Sequence, residues 1–381
     1  MPFSHDIQSP PRPTALPLTA RLRARQTPST DRVTIAMVDS DFISHPDLIS
    51  PKNRILRYVD AVNQSEQDMP PPAAEARHWH GTMTACTAAG NGALSHGFYR
   101  SLAPDANLVL IRTMNDDDRV PTASIVWALD WIARNAETYG IRIVNISVYA
   151  DEIDQTLAHP VNMAVERLVE VGIIVVAAAG NNPLSPIRPP AAAPGAITVG
   201  GLNDNNTVTD DDNTMYHSAF GITDLGVQKP EIIAPAVLLA GPLMPDSMQR
   251  QRSGVLFALD ALDDGELCAF AGELSRSAEL PGEHWDSRDV SALRTSIDAA
   301  IAADQLISPW YKLVDGTSFA APIVCSIVAQ MLACNPLLTP HEVKAILTTT
   351  ARPLPGVAAA RQGAGIVDQP RAIERALGES A

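Results

Sequence analysis

Five short apolar runs constrain this chain more than any other feature. Residues 33–38 read VTIAMV, and similar runs recur at 107–113 (NLVLIRT), 141–147 (IRIVNIS), 173–179 (IIVVAAA) and 197–200. A run apolar at nearly every position suits a strand buried on both faces, as in a parallel sheet. Between these runs, residues 122–139 and 161–171 carry apolar side chains at three-to-four spacing, the period of a helix packed on one side. Strands alternating with helices make βαβ units. The expected fold class is therefore α/β, a doubly wound, mostly parallel sheet flanked by helices. In such a sheet ligands bind beyond the carboxyl ends of the strands.

The alternation fails in two places. Residues 1–30 are rich in Pro, Ser and Arg and read as a flexible N-terminal extension. Residues 237–314 carry an acidic turn, Asp263-Asp264-Gly265, and a helical stretch near 287–303. They read as an insertion on one domain spanning 31–375, with 376–381 as a tail. Helices are expected again at 318–334, 340–350 and 369–377.

Charge and cysteine usage narrow the function classes. A net charge of −15 argues against a nucleic-acid or anionic-membrane surface. No apolar run is long enough to cross a membrane, and the first thirty residues lack the apolar stretch of a secretory signal. Cys86, Cys268, Cys325 and Cys334 have no metal-type spacing and read as thiols of a reducing compartment. The expected location is the cytoplasm.

Chemistry concentrates at run ends. Ser318 lies in Gly316-Thr317-Ser318-Phe319-Ala320-Ala321-Pro322, where a long apolar helix begins. A backbone N–H in the first turn has no helical partner and is available to an oxyanion. Asp39 closes the first run, where it suits an acid that fixes a histidine tautomer; alone it would pass for a turn residue. His80 opens His80-Gly81-Thr82, and the glycine admits close backbone approach. A helix start is expected to lower the tendency of His80 to carry charge. The pair His78 and His80 has no nearby Cys or Glu to complete a metal set. Asn181 follows the 173–179 run and offers an amide donor, with Asn182 as second choice.

The order Asp39, His80, Asn181, Ser318 resembles that of the subtilisin-like serine peptidases. HPDL after the acid, LAPDANLVLIRTM, PPAAAPGAITVGG, FGITDLGVQKPEIIAPA and GAGIVD extend the likeness over most of 33–235 and 315–370. The resemblance implies a serine endopeptidase acting on protein or peptide substrates. Ser318 would be the nucleophile, His80 the base, Asp39 the orienting acid, and Asn181 with the Ser318 N–H the oxyanion hole. Substrate would pair as a strand along Ser147, Val148 and Tyr149. Ala178, Ala179 and Gly180 would wall the pocket for the residue before the scissile bond. The mechanism needs no metal or other cofactor. Relatives often bind structural calcium, but Asp116–Asp118 and Asp204 with 210–213 read as solvated acidic loops.

Departures from the family pattern mark where this chain is individual. Asp41 and Tyr149 stand where glycine is usual. Asp41 is expected to perturb Asp39 or to face solvent, and Tyr149 to narrow the pocket. The insertion is a candidate lid, partner-docking surface or packed elaboration. Too few residues precede Val33 for a folded pro-domain, so PTALPLTARLRAR is expected to lie over the cleft until trimmed. A catalytically silent scaffold is the alternative function, disfavoured because all four positions are intact. A dedicated processing peptidase fits equally well.

Overall fold

The apolar runs form the strands of one central sheet. A computed structural model describes residues 12–71, 77–151, 156–277 and 289–378. Its strands are β1 (Thr34–Asp39), β2 (Ile55–Asp60), β3 (Ser65–Gln67), β4 (Asn107–Arg112), β5 (Ile141–Ile146), β6 (Ile174–Ala178), β7 (Ile197–Asn203), β8 (Thr214–Met215), β9 (Gly221–Ile222), β10 (Gln228–Lys229) and β11 (Ile232–Pro235). They stand in the order β11-β7-β6-β5-β1-β4-β2-β3, with β8 on β7; β9 and β10 pair separately. From β11 to β2 every neighbour is parallel, and β3 and β8 are antiparallel. All six residues of β1 are buried, as a strand covered on both faces requires.

Topology fixes where a site can form. After β1 the chain builds β2 and β4 on one side, then crosses to β5 and β6 on the other. The switch point lies between β1 and β5, where crossovers leave a crevice at the carboxyl ends. Asp39 ends β1, Ser147 follows β5, and Ala178 ends β6, so three candidate residues stand side by side along that edge.

The early helices are α1 (Leu18–Arg21), α2 (Pro46–Ile49), α3 (His78–Ala89), α4 (Thr122–Tyr139) and α5 (Pro160–Glu170). Apolar faces of α4 and α5 enter a core with Val38, Val144 and Val175, which is the burial their spacing anticipates.

Residues 240–314 carry a core of their own. With the described part of Met1–Ala15, Ala240–Val314 forms one compact unit; Leu16–Leu239 with the described part of Asp315–Ala381 forms the other. The smaller unit contains β12 (Leu239–Pro242) from Ala240 on, α6 (Met248–Ala261), α7 (Asp264–Ser277), α8 (Val290–Ala303), β13 (Leu306–Ser308) and β14 (Tyr311–Val314). Its strands order as β12-β14-β13, and Leu256, Leu259, Leu267, Leu293, Ile297 and Ile301 pack together. Arg12 binds Asp260 and Asp298 within this unit.

The reading of 1–30 as a flexible arm is corrected for its described part. Arg21 is buried, pairs with buried Asp204, and donates to the carbonyls of Val237 and Leu238. The Leu16 N–H donates to Asn206 Oδ1, and Arg25 exchanges backbone bonds with the Gln369 amide. Residues 16–25 are thus anchored by the 204–210 loop and the start of the last helix. None of these partners is a candidate catalytic residue, so this part of PTALPLTARLRAR is not laid over the cleft. A buried guanidinium must be paired, and the acidic 204–210 loop supplies the partner.

Four helices complete the larger unit: α9 (Thr317–Cys334), α10 (Pro340–Thr350), α11 (Ala359–Gln362) and α12 (Gln369–Ala376). Among the described residues α9 is the one helix long and apolar enough to cross a membrane, and 83% of it is buried inside the fold. It packs against β5, β6, β7 and α3. The contact between α3 and β1 depends on a missing side chain. A Cβ on Gly81 would lie 2.4 Å from the Asp41 carbonyl oxygen and 3.1 Å from Asp39 Cβ. Backbone cannot yield there as a flexible side chain would. Gly81→Ala is therefore expected to cost about 1–3 kcal/mol of stability. Urea unfolding checks this, and a loss below about 0.5 kcal/mol, the usual size of an inconsequential surface change, would contradict it.

Candidate active site

Asp39 has no solvent exposure. Its Oδ1 accepts the Ser40 N–H at 2.7 Å and lies 2.6 Å from His80 Nδ1. Its Oδ2 accepts the Thr84 hydroxyl at 2.9 Å. A carboxylate surrounded by donors acts as acceptor, so Nδ1 of His80 carries the proton and Nε2 the lone pair. His80 and Thr84 are four apart on α3 and share a face, which is how one helix grips both carboxylate oxygens.

Burial by itself would lower the His80 pKa, but the charge and hydrogen bond of Asp39 outweigh it, and the net direction is upward. The expectation that the helix start lowers the charge on His80 is thereby corrected: a carboxylate at 2.6 Å is a far stronger field than a helix terminus. The imidazole is flanked by Trp79 at 5.2 Å and by Phe319, next to Ser318, at 6.0 Å between ring centroids. His78 and His80 face different carboxylates: His78 Nε2 lies 3.3 Å from Asp41, while His80 Nδ1 lies 2.6 Å from Asp39.

Asp41 neither faces solvent nor stands unpaired. It is buried, accepts the Phe42 N–H and the Tyr58 hydroxyl at 2.8 Å each, and pairs with Arg112 at 3.3 Å and Arg77 at 3.5 Å. The two guanidiniums offset its charge, a buried arrangement that a lone carboxylate beside Asp39 would lack.

Ser318 is half-buried at the second position of α9. Its N–H donates to no protein group among the described residues. Its hydroxyl lies 3.5 Å from the Ser147 carbonyl oxygen. Pro322, four residues on, has no N–H to give the Ser318 carbonyl; the Ser147 hydroxyl donates there instead, at 2.9 Å. Asn145, fully buried, donates in turn to the Ser147 oxygen at 2.9 Å. Ser147 is thus tied by its side chain to the nucleophile segment.

Asn181 is oriented from the same segment. Its Oδ1 accepts both the N–H and the hydroxyl of Thr317 at 2.9 Å. The Thr317 oxygen accepts the Gly180 N–H at 3.1 Å. With Oδ1 doubly engaged, the Nδ2 hydrogens are the free end of the amide. Gly180 has φ +99°, a backbone conformation glycine adopts without strain. The His217 ring donates from Nδ1 to the Asn181 carbonyl at 2.8 Å and steadies the loop further. Asn182 lines the adjoining cavity instead.

That cavity, about 250 Å³, is lined by Ser147, Val148, Tyr149, Ala178, Ala179 and Gly180, by Asn181 and Ser318, and by Arg188. All the sequence-derived substrate residues are gathered there. Tyr149 is 54% exposed, and Arg188 lies 5.0 Å from its ring centroid. Thr84, Thr317, Asn145 and Arg188 were not among the residues read from sequence. Thr84 was within reach from its i+4 relation to His80, and Thr317 from its place before Ser318. Asn145 and Arg188 carry no local signal.

Three carboxylates of the acidic loops are paired with arginines. Asp116 binds Arg112 and Arg77; Asp210 binds Arg23 and Arg352; Asp204 is taken by Arg21. His45, Asp47 and Cys86 do converge. However, His45 Nδ1 accepts the Asp47 N–H at 3.1 Å, Asp47 accepts the Leu94 N–H at 3.1 Å, and burial pushes the Cys86 thiol well above its ordinary pKa.

Comparison with known proteins agrees with this geometry. The Subtilase family profile matches residues 30–366. Serine protease AprX of Bacillus subtilis is 31% identical over 86% of this chain and 62% of its own length. Subtilisin BL of Lederbergia lenta is 31% identical over 46% of this chain and 57% of its own. The chain thus spans about six-tenths of these two relatives. The solved structure of sphericase superposes with TM-score 0.63 at 20% identity, over 94% of this chain and 99% of that one. The chain belongs to the subtilase family.

Proposed function

We propose that this chain is a serine endopeptidase acting through Asp39, His80 and Ser318, with Asn181 and the Ser318 N–H as the oxyanion hole. The observation that carries the reading is the 2.6 Å contact between His80 and the fully buried Asp39, with the Ser318 N–H, unpaired among the described residues, on the helix against α3. The Ser318 hydroxyl attacks the peptide carbonyl carbon and gives its proton to His80 Nε2. The carbonyl oxygen becomes an oxyanion held by the Ser318 N–H and Asn181 Nδ2. Collapse breaks the C–N bond as His80 returns the proton to the leaving amine. Water then repeats the sequence on the acyl-enzyme. Asp39 holds the tautomer throughout and stabilises the imidazolium. In the resting arrangement the Ser318 hydroxyl leans on Ser147; such bonds tighten toward the base when substrate binds.

No step in this scheme uses a metal. Cytoplasmic placement is supported by Cys86 and Cys325, kept as buried thiols whose pKa burial raises. To the smaller unit we assign docking of a partner or protein substrate, supported by its separate core and the exposed Met248 and Phe270. Charging both, as Met248→Asp with Phe270→Asp, is expected to slow cleavage of a protein substrate and leave short-peptide hydrolysis unchanged; equal effects on both would refute it.

A fluorophosphonate probe should label the wild type and fail on Ser318→Ala; label on neither protein would refute the mechanism. Asn181→Ala should retain labelling but lose about 10²–10³ in kcat, the usual cost of one oxyanion donor. The acid limb of the kcat/KM profile should have its midpoint above 6.5, because the raised pKa keeps His80 protonated to higher pH than a free imidazole. A midpoint below 6.5 would contradict the dominance of Asp39.

A further inference from the structure

Among the described residues, one formally charged side chain lines the pocket beside Ser318. Small or neutral residues line it, among them Ser147, Val148, Ala178, Ala179 and Gly180. Arg188 lines it as well, with its guanidinium carbon 5.0 Å from the Tyr149 ring centroid. No carboxylate pairs with Arg188 among the described residues. A guanidinium on an aromatic face is held in place and keeps its in-plane N–H donors available. An apolar side chain entering such a pocket would strip water from those donors and return nothing. A side-chain carboxylate would restore the lost hydrogen bonds as a bidentate, charge-assisted pair.

We infer that Arg188 makes this chain select an acidic residue immediately before the scissile bond. The inference rests on the proposed function for the identity of the pocket. Tyr149 then acts as the platform that holds the guanidinium rather than as a plug that narrows the pocket. Glutamate and glutamine have nearly the same shape, so their ratio isolates charge. A hydrogen bond to a charged group, at about 1.5–3 kcal/mol, corresponds to on the order of ten- to a hundredfold preference.

The test uses the full chain and peptides that differ only in that residue: Glu, Gln, Phe or Lys. Wild type should show kcat/KM for Glu at least about tenfold above Gln and above Phe. Arg188→Gln should bring the Glu-to-Gln ratio to about one, and Arg188→Glu should favour Lys. The wild-type Glu-to-Gln ratio should fall as pH drops below about 4.3 and the substrate carboxyl protonates, while the His80 titration cancels in the ratio. Calorimetric binding of acylated tetrapeptide amides ending in Glu or Gln to Ser318→Ala reads the pocket without chemistry and should show the same order. Fluorophosphonate labelling separates the two readings. Labelled enzyme with a Glu-to-Gln ratio of one or less, or a clear preference for Phe, overturns the role of Arg188 and leaves the peptidase standing. Unlabelled protein that still binds the Glu peptide more tightly overturns the peptidase and leaves the pocket assignment standing.

Discussion

The site depends on one carboxylate held out of water. Asp39 is fully buried, and its two oxygens are shared among a backbone N–H, the Thr84 hydroxyl and the His80 ring. Burying a carboxylate is costly unless donors replace its hydration. Here the donors come from the strand end and from α3, so helix and sheet are fixed against each other by the group that orients the imidazole. Gly81 is the steric condition for that contact, since any Cβ there would meet the Asp41 backbone. Asp41 extends the principle: Tyr58, Arg77 and Arg112 hold it just behind the turn that carries Asp39.

The nucleophile side is built with the same economy. Pro322 removes one helical hydrogen bond and leaves the Ser318 carbonyl for the Ser147 hydroxyl. Thr317 fixes the Asn181 amide through two bonds to a single oxygen. The wall after β5, the loop after β6 and the start of α9 therefore lock together through side chain-to-backbone contacts. Such preorganisation avoids reorganising dipoles when negative charge develops.

Much of this was legible because it is local. Strands buried on both faces announce themselves as unbroken apolar runs, and β1, β4, β5 and β6 fall within a residue or two of the expected bounds. The α4 and α10 spans coincide with their periodic patterns. The nucleophile helix is marked by Gly316 and Ser318. What sequence did not reveal depends on partners distant along the chain. Arg21 looks like part of a basic, floppy arm until Asp204 is placed beside it. Asp41 looks like a perturbing charge until two arginines, one 36 and one 71 residues on, close over it. The 240–314 segment gave no strand pattern because its short strands serve a small separate core. Arg188 has no motif; only the course of the loop after Asn181 brings it to the cavity.

Proton NMR of His80 tests the central claim most directly. If Asp39 holds the ring through Nδ1, that proton should resonate far downfield and vanish in Asp39→Asn, and the ring should titrate above 6.5 in the wild type. A ring that titrates at or below 6.5, with no downfield proton, would show that Asp39 does not govern His80, and the account of the site would fail.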